Sequence, residues 1–212
     1  MKKLILFVFS LFLLSGIQTI YAHGETSKHP VVRIMGINKS LPYNGTGQTV
    51  TPDFEILSDE LTDEQKALIS CTGTVSGVNA GKYPYELSAD QFIYDGDDMQ
   101  PVFEIVEDGG LIIEKINTVV TVTGINAVAE YDGAVHVAAG YTAEADSDLY
   151  DVKRSFVYTG YASATQEEPG ISYMGLSANK FRNINPNFSV VKFDVIDGYQ
   201  QVNPIHDDAD NR

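Results

Sequence analysis

The sequence predicts an all-β protein made of two tandem small Ig-like β-sandwich modules. β-grasp-like modules, each sheet holding one short helix, are the alternative. Three observations predict this: an internal repeat, strand-length runs rich in β-branched and aromatic residues, and turn signals about every 8–12 residues.

The repeat is read from spacing. Val31-Val32-Arg33-Ile34-Met35-Gly36-Ile37-Asn38, closing at Tyr43-Asn44-Gly45, returns 88 residues later as Val119-Val120-Thr121-Val122-Thr123-Gly124-Ile125-Asn126, closing at Tyr131-Asp132-Gly133. Cys71-Thr72-Gly73 returns as Tyr158-Thr159-Gly160 at an offset of 87. Leu87 to Phe92 returns as Leu176 to Phe181 at 89, and Asp108-Gly109 as Asp197-Gly198. Matches in one order with so little drift define a first copy over 31–115 and a second over 116–204, with a linker at 23–30 and an acidic tail at 205–212.

Each element has a local reason. Thr118 to Thr123 alternates β-branched residues, and Gly124 stops the run. Asn44-Gly45 and Asp132-Gly133 accept the positive φ of a type I′ turn and predict hairpins. Val135, Val137, Ala139 and Tyr141 alternate after the second of these. Further extended runs cover Phe156 to Ala164, Ile171 to Leu176, Ser189 to Val195 and, beyond Asp197-Gly198, Tyr199 to Val202. Six to eight strands per copy are expected on the sandwich pattern. The first copy has one more residue between Val106 and Gly110 than the second has at the matching place, which predicts a β-bulge. Leu61 to Ile69 is the exception to the β pattern: Thr62 can cap a short helix and Gln65 stands three residues on. The matching stretch Asp148 to Arg154 carries a weaker signal.

Residues 1–22 read as an address. Lys2 and Lys3 precede an apolar run from Leu4 to Leu14, and Ala22 offers a small residue for cleavage. The run falls short of the roughly 20 residues needed to span a bilayer. The expectation is a secreted or cell-surface protein whose mature chain begins near His23 and has no membrane span. Fourteen basic against 29 acidic residues give a net charge of −15, which argues against nucleic acid and keeps a chain soluble and monomeric. A single cysteine excludes an intrachain disulfide framework, and four scattered histidines form no metal-binding pair.

Candidate chemistry is sparse. Asp95, Asp97 and Asp98 form one oxygen-rich loop and Asp146 with Asp148 another; either is a calcium candidate, against the plainer reading of a solvated acidic loop. Tyr43, Tyr131, Tyr141, Tyr158, Phe92, Phe181, Phe188 and Phe193 fall at repeat-equivalent or alternating sites and read as core, with sugar stacking as the functional alternative. Cys71 reads as a small buried hydrophobe, since a nucleophile needs a base nearby. There is no GxSxG elbow, and no candidate polar residue is matched in both copies. No catalytic residue and no cofactor is assigned.

The second copy, with VTVTG, YDG, GYTAE, YTG, MGL and a late DGY, resembles the repeat modules of bacterial cell-surface adhesin-like proteins, the Ig-like and mucin-binding-type glycine repeats. It covers about 87 residues well and the first copy more loosely. The resemblance implies a non-enzymatic surface or secreted repeat protein acting as a binding or spacer module, its partner an extracellular protein or glycan. A carbohydrate- or mucin-binding module is the first alternative and an uncharacterised hydrolase the second.

Overall fold

The computed structural model describes residues 29–205. Residues 1–22, read above as an export signal, linker residues 23–28 and tail residues 206–212 lie outside the described residues. The chain is all-β. Its first half carries β1 (Val31–Ile37), β2 (Lys39–Pro42), β3 (Gln48–Val50), β4 (Asp53–Ile56), β5 (Ile69–Cys71), β6 (Val75–Gly77), β7 (Gly81–Pro84), β8 (Phe92–Tyr94), β9 (Val102–Glu107) and β10 (Gly110–Glu114). The second half carries β11 (Ile116–Gly124), β12 (Ala127–Glu130), β13 (His136–Ala139), β14 (Tyr141–Ala145), β15 (Phe156–Tyr158), β16 (Ser163–Gln166), β17 (Gly170–Tyr173), β18 (Phe181–Asn183), β19 (Phe188–Ile196) and β20 (Tyr199–Asn203). One short helix, α1 (Asp63–Ala67), interrupts the first half.

Strand pairing is the same in both halves. The first has sheets β4-β1-β9, β2-β10-β7, β3-β6 and β5-β8; the second has β14-β11-β19, β12-β20-β17, β13-β16 and β15-β18. In each, the first strand is antiparallel to one neighbour and parallel to the other, β1 to β9 and β11 to β19. Ten strands per half exceed the expected number, because long runs are cut by corners. Phe156 to Ala164 divides into β15 and β16, and Gly140 separates β13 from β14.

Local expectations fare unevenly. Thr62 caps α1 and exchanges hydrogen bonds with Gln65, a complete capping box. Residues 147–155 form consecutive turns instead of a helix, with Tyr150 N bonded to Ser147 O and Ser155 N to Asp151 O. The extra residue of the first half is Val106, where the β1–β9 register slips between Ile105 and Glu107. The hairpin expectation is corrected. Gly45 and Gly133 do adopt positive φ, 76° and 75°. The strands on either side nevertheless belong to different sheets, β2 with β10 and β3 with β6. Asn44 Oδ1 closes the corner by accepting from Thr46 N, and Asp132 Oδ1 does so from Ala134 N. An Asx turn fixes the local bend but does not choose the pairing partner, so the same dipeptide serves as a corner between sheets.

The repeated Gly-Ile-Asn and Asp-Gly segments mark one tertiary feature. The chain passes from β1 into β2 beside the place where it passes from β9 into β10, and both change sheets together. At that bend the two backbones touch. A Cβ on Gly36 would stand 2.3 Å from Gly109 N, and one on Gly124 2.3 Å from Gly198 N. The neighbouring aspartate clamps the crossing. Asp197 accepts from Gly175 N and Leu176 N, both at 2.9 Å, and Asp108 accepts from Glu86 N and Leu87 N. Glu86 is the one described non-glycine residue with positive φ, 56°, where the second half has Gly175 at 72°. Asp197→Ala is expected to destabilise the protein by about 2 kcal/mol in urea unfolding, since two charge-assisted bonds are lost. Asp197→Asn keeps one acceptor oxygen and should lose about half as much.

Each half has two apolar clusters. Val32, Ile34, Leu61, Ile69, Phe92 and Met99 form one in the first half, and Val50, Tyr85, Leu111 and Ile113 the other. The largest cluster of the second half centres on Val120, Val122, Tyr150, Phe181 and Phe188; a smaller one holds Ala138, Ala164, Met174 and Leu176. Only Lys115 separates β10 from β11, and the halves are tied across it. Tyr43 packs edge-on against Phe188, ring centroids 6.1 Å apart. The buried Asn187 accepts from Ala80 N at 2.8 Å and donates to Asn79 Oδ1 at 3.1 Å. Asn185 Oδ1 in turn receives Asn187 N, which fixes the reaching residue.

Candidate recognition face of the second half

The outer face of sheet β12-β20-β17 is the strongest candidate site. Along β20, Gln200 and Val202 point inward and are buried, so Tyr199, Gln201 and Asn203 point out. Register places Tyr173 beside Tyr199, and both Ile171 and Val128 beside Gln201. The two tyrosine rings meet edge-on with centroids 6.1 Å apart. Tyr173 is 65% exposed and Val128 58%. Val135 and Val137, on or next to β13, are equally open, and Tyr161, between β15 and β16, is 91% exposed. Beyond the rings runs a polar chain: Gln201 Nε2 donates to Asn203 Oδ1 at 2.8 Å, and Asn203 Nδ2 donates to Glu130 Oε1 at 3.1 Å.

The first half is a built-in comparison, because its strands pair in the same order. Where the second half has Val128, Val135, Val137, Ile171, Tyr173 and Tyr199, the first has Ser40, Gly47, Thr49, Lys82, Pro84 and Gly110. Four positions of this face and two at β13 thus change from small, polar, charged or proline to apolar or aromatic, while Gln201 stands where the first half has Ile112. Water contact with this much apolar side chain has no folding benefit, and such patches on soluble proteins mark interaction surfaces.

The residues singled out from sequence lie elsewhere. Phe92, Phe181 and Phe188 are buried, and Tyr141, Tyr158 and Phe193 pack against the large cluster of the second half. Tyr43 sits at the junction. Tyr131 is half-buried at the end of the second half, its N–H given to Asn203 O. Asp98 accepts from Gln65 Nε2 at 2.6 Å and from Tyr94 Oη, and the Tyr94 bond pushes the pKa of that phenol up to about 12. Asp146 accepts from Thr118 Oγ1 and, at 3.0 Å, from Val119 N, and these bonds hold its carboxyl below the usual carboxylate range. Asp95, Asp97 and Asp148 are exposed. Among the described residues, no three His, Cys, Asp or Glu side chains converge as metal ligands. Cys71 is half-buried, gives its thiol to Thr72 O at 3.4 Å, and has its pKa raised by that burial, so little of it is thiolate. Asn187 is buried at the junction. An open hollow of about 510 Å³ is lined by Tyr141, Thr142, Ala143, Val152, Lys153 and Phe156 and holds no carboxylate pair.

Asp146 gives a pH prediction. A carboxylate with a lowered folded pKa adds stability above the usual carboxylate range, and that stability disappears as pH falls through the lowered value. The difference between wild type and Asp146→Asn in urea titrations should therefore be full at pH 7 and shrink as pH falls through and below the ordinary carboxylate range.

Tyr161, Tyr173 and Tyr199 were missed by the sequence reading, which sought aromatics at repeat-equivalent sites. The useful signal was the opposite one: aromatics in the second copy where the first has threonine, proline or glycine. No family model, curated protein or solved structure matches the chain. No described helix is long and apolar enough to cross a membrane.

Proposed function

We propose that the chain is an exported, non-enzymatic binding protein of the adhesin-like kind, in which the second half recognises a partner and the first serves as spacer. The observation that supports this reading is the change of six exposed positions, four of them on sheet β12-β20-β17, between two halves of the same topology. Export is read from the pattern of residues 1–22, and the net charge of −15 turns the partner away from nucleic acid.

An extracellular glycan is the partner this face fits best. Tyrosine rings offer flat apolar surface to sugar C–H groups, and the amide row of Gln201 and Asn203 offers donors and acceptors alongside. An open sheet face, without an enclosing pocket, suits an extended chain. The test is a glycan and mucin array probed with the mature chain from His23, beside a Tyr173→Ser/Tyr199→Ser double variant. The expected result is saturable binding that weakens at least tenfold in a double variant that unfolds at the wild-type temperature. Silence of the folded wild-type chain across the array would remove the glycan reading and favour a spacer or protein-binding role.

A further inference from the structure

β19 is the longest described strand at the edge of a sheet, nine residues that pair with β11 on one side only. We propose that its open side pairs with the same strand of a second copy of this chain, antiparallel about a two-fold axis through Phe193, to form a closed dimer.

The sequence of β19 is complementary to its own reverse. Counting outward from Phe193, Lys192 answers Asp194 in charge, Val191 matches Val195, and Val190 matches Ile196. Antiparallel pairing about Phe193 therefore sets Lys192 of one copy opposite Asp194 of the other, twice, with apolar pairs on both flanks. Within one chain Lys192 Nζ lies 2.8 Å from Asp194 Oδ1, and both side chains are exposed and able to turn to the other copy. On the same outer face Val190 is 59% exposed and Ile196 58%. On the inner face Val191, Phe193 and Val195 pack on the large cluster yet are only half-buried, whereas Val120 and Val122 of the neighbouring β11 are fully buried. A second strand would cover both sets.

The backbone is placed for this. In the first half Val102 N donates to Pro30 O, on the β1 side, and register puts Lys192 at the place of Val102. Alternation then turns the N–H and C=O groups of Val191, Phe193 and Val195 to the open side, ready for a ladder. β19 slips against β11 upstream of Val191 and is regular from there to Ile196. Among the described residues no strand takes up these groups. The turn Ala178–Lys180 lies near β19 but makes no backbone hydrogen bond to it.

The matching edge of the first half is closed to such pairing. β9 begins directly after Pro101, carries the slip at Val106, and bears Glu104 and Glu107 without a cation. Proline, bulges and charge of one sign are the devices that keep edges apart. Residues 191–196 contain no proline and no slip, and the charge of Lys192 is answered by Asp194 in the antiparallel register. Lys192 thus selects that register instead of barring it. The net charge of −15 per chain opposes the contact and keeps it weak.

Sedimentation equilibrium of the mature chain from His23 tests this. The wild type should rise from the mass of one chain to that of two, and no further, with a dissociation constant of about 0.1 mM. Lys192→Asp, at an exposed position, sets like charges opposite each other twice and should weaken association at least tenfold. Lys192→Asp/Asp194→Lys restores opposite charges across the axis and should return affinity to within about threefold of wild type. Val191→Pro removes an N–H from the open side, leaves the β11 side paired, and should hold the protein at the mass of one chain. A wild type that keeps the mass of one chain at about 1 mM would overturn the proposal. So would association that Lys192→Asp leaves unchanged, that the charge swap fails to restore, or that climbs past two chains. Two copies so joined carry the face of sheet β12-β20-β17 twice, and the test does not depend on what that face binds.

Discussion

A Gly124→Ala substitution is expected to destabilise the protein by about 4 kcal/mol, in the range of severe core overpacking. The added Cβ would stand 2.3 Å from Gly198 N and 2.6 Å from Gly198 Cα, and neither neighbour is a side chain that can turn away. One of the two crossing segments must move, and they are held by β11–β19 pairing up to Thr123 and Ile196 on one side of the contact and by β12–β20 pairing from Ala127 and Gln200 on the other. Urea unfolding followed by circular dichroism reads the loss as a lower midpoint at unchanged slope. Gly47→Ala is the control: nothing lies within 4 Å of its Cβ and its φ is not in the left-handed region, so its midpoint should shift by less than about 0.5 kcal/mol. A Gly124→Ala protein as stable as Gly47→Ala would mean that the two backbones can part at the crossing at little cost.

Phe181→Ala is expected to cost about 4 kcal/mol, through lost burial and the cavity left behind. Phe181 is 6% exposed, and its ring meets four others: Tyr141 at 5.5 Å, Phe156 at 5.8 Å, Tyr158 at 4.8 Å and Phe193 at 5.5 Å between centroids. Its counterpart Phe92 meets two rings, Phe54 at 5.1 Å and Phe103 at 5.5 Å. The second half should therefore lose more from Phe181→Ala than the first loses from Phe92→Ala, with the difference near 1 kcal/mol. Phe181→Leu keeps most of the apolar volume and should cost about 1.5 kcal/mol. Equal losses for Phe181→Ala and Phe92→Ala would show that burial alone, without ring–ring geometry, sets the stability.

The fold was legible where neighbours in sequence decide it. Alternation in Thr118 to Thr123 became β11, the Thr62–Gln65 pair became a capping box, and the extra residue near Val106 became a register slip. It was illegible where the deciding contact is distant. Asn44-Gly45 reads as a hairpin because the local backbone is the one a hairpin uses, yet β3 finds β6 and β2 finds β10 across the fold. The exposed apolar face of the second half was hidden for a related reason. Matching residues between copies draws attention to the shared core, whereas that face is made of positions that do not match.

The sequence by itself determined that the chain is all-β, that one pattern occurs twice, and where its short helix begins, because periodicity, capping and backbone freedom act over a few residues. Only the tertiary structure decided that β1 runs parallel to β9 some 71 residues away, that Gly124 and Gly198 press backbone on backbone, and that Asn187 bridges the halves. Those outcomes depend on which surfaces meet after the strands have formed, and residue type alone does not carry that information until the chain has closed on itself.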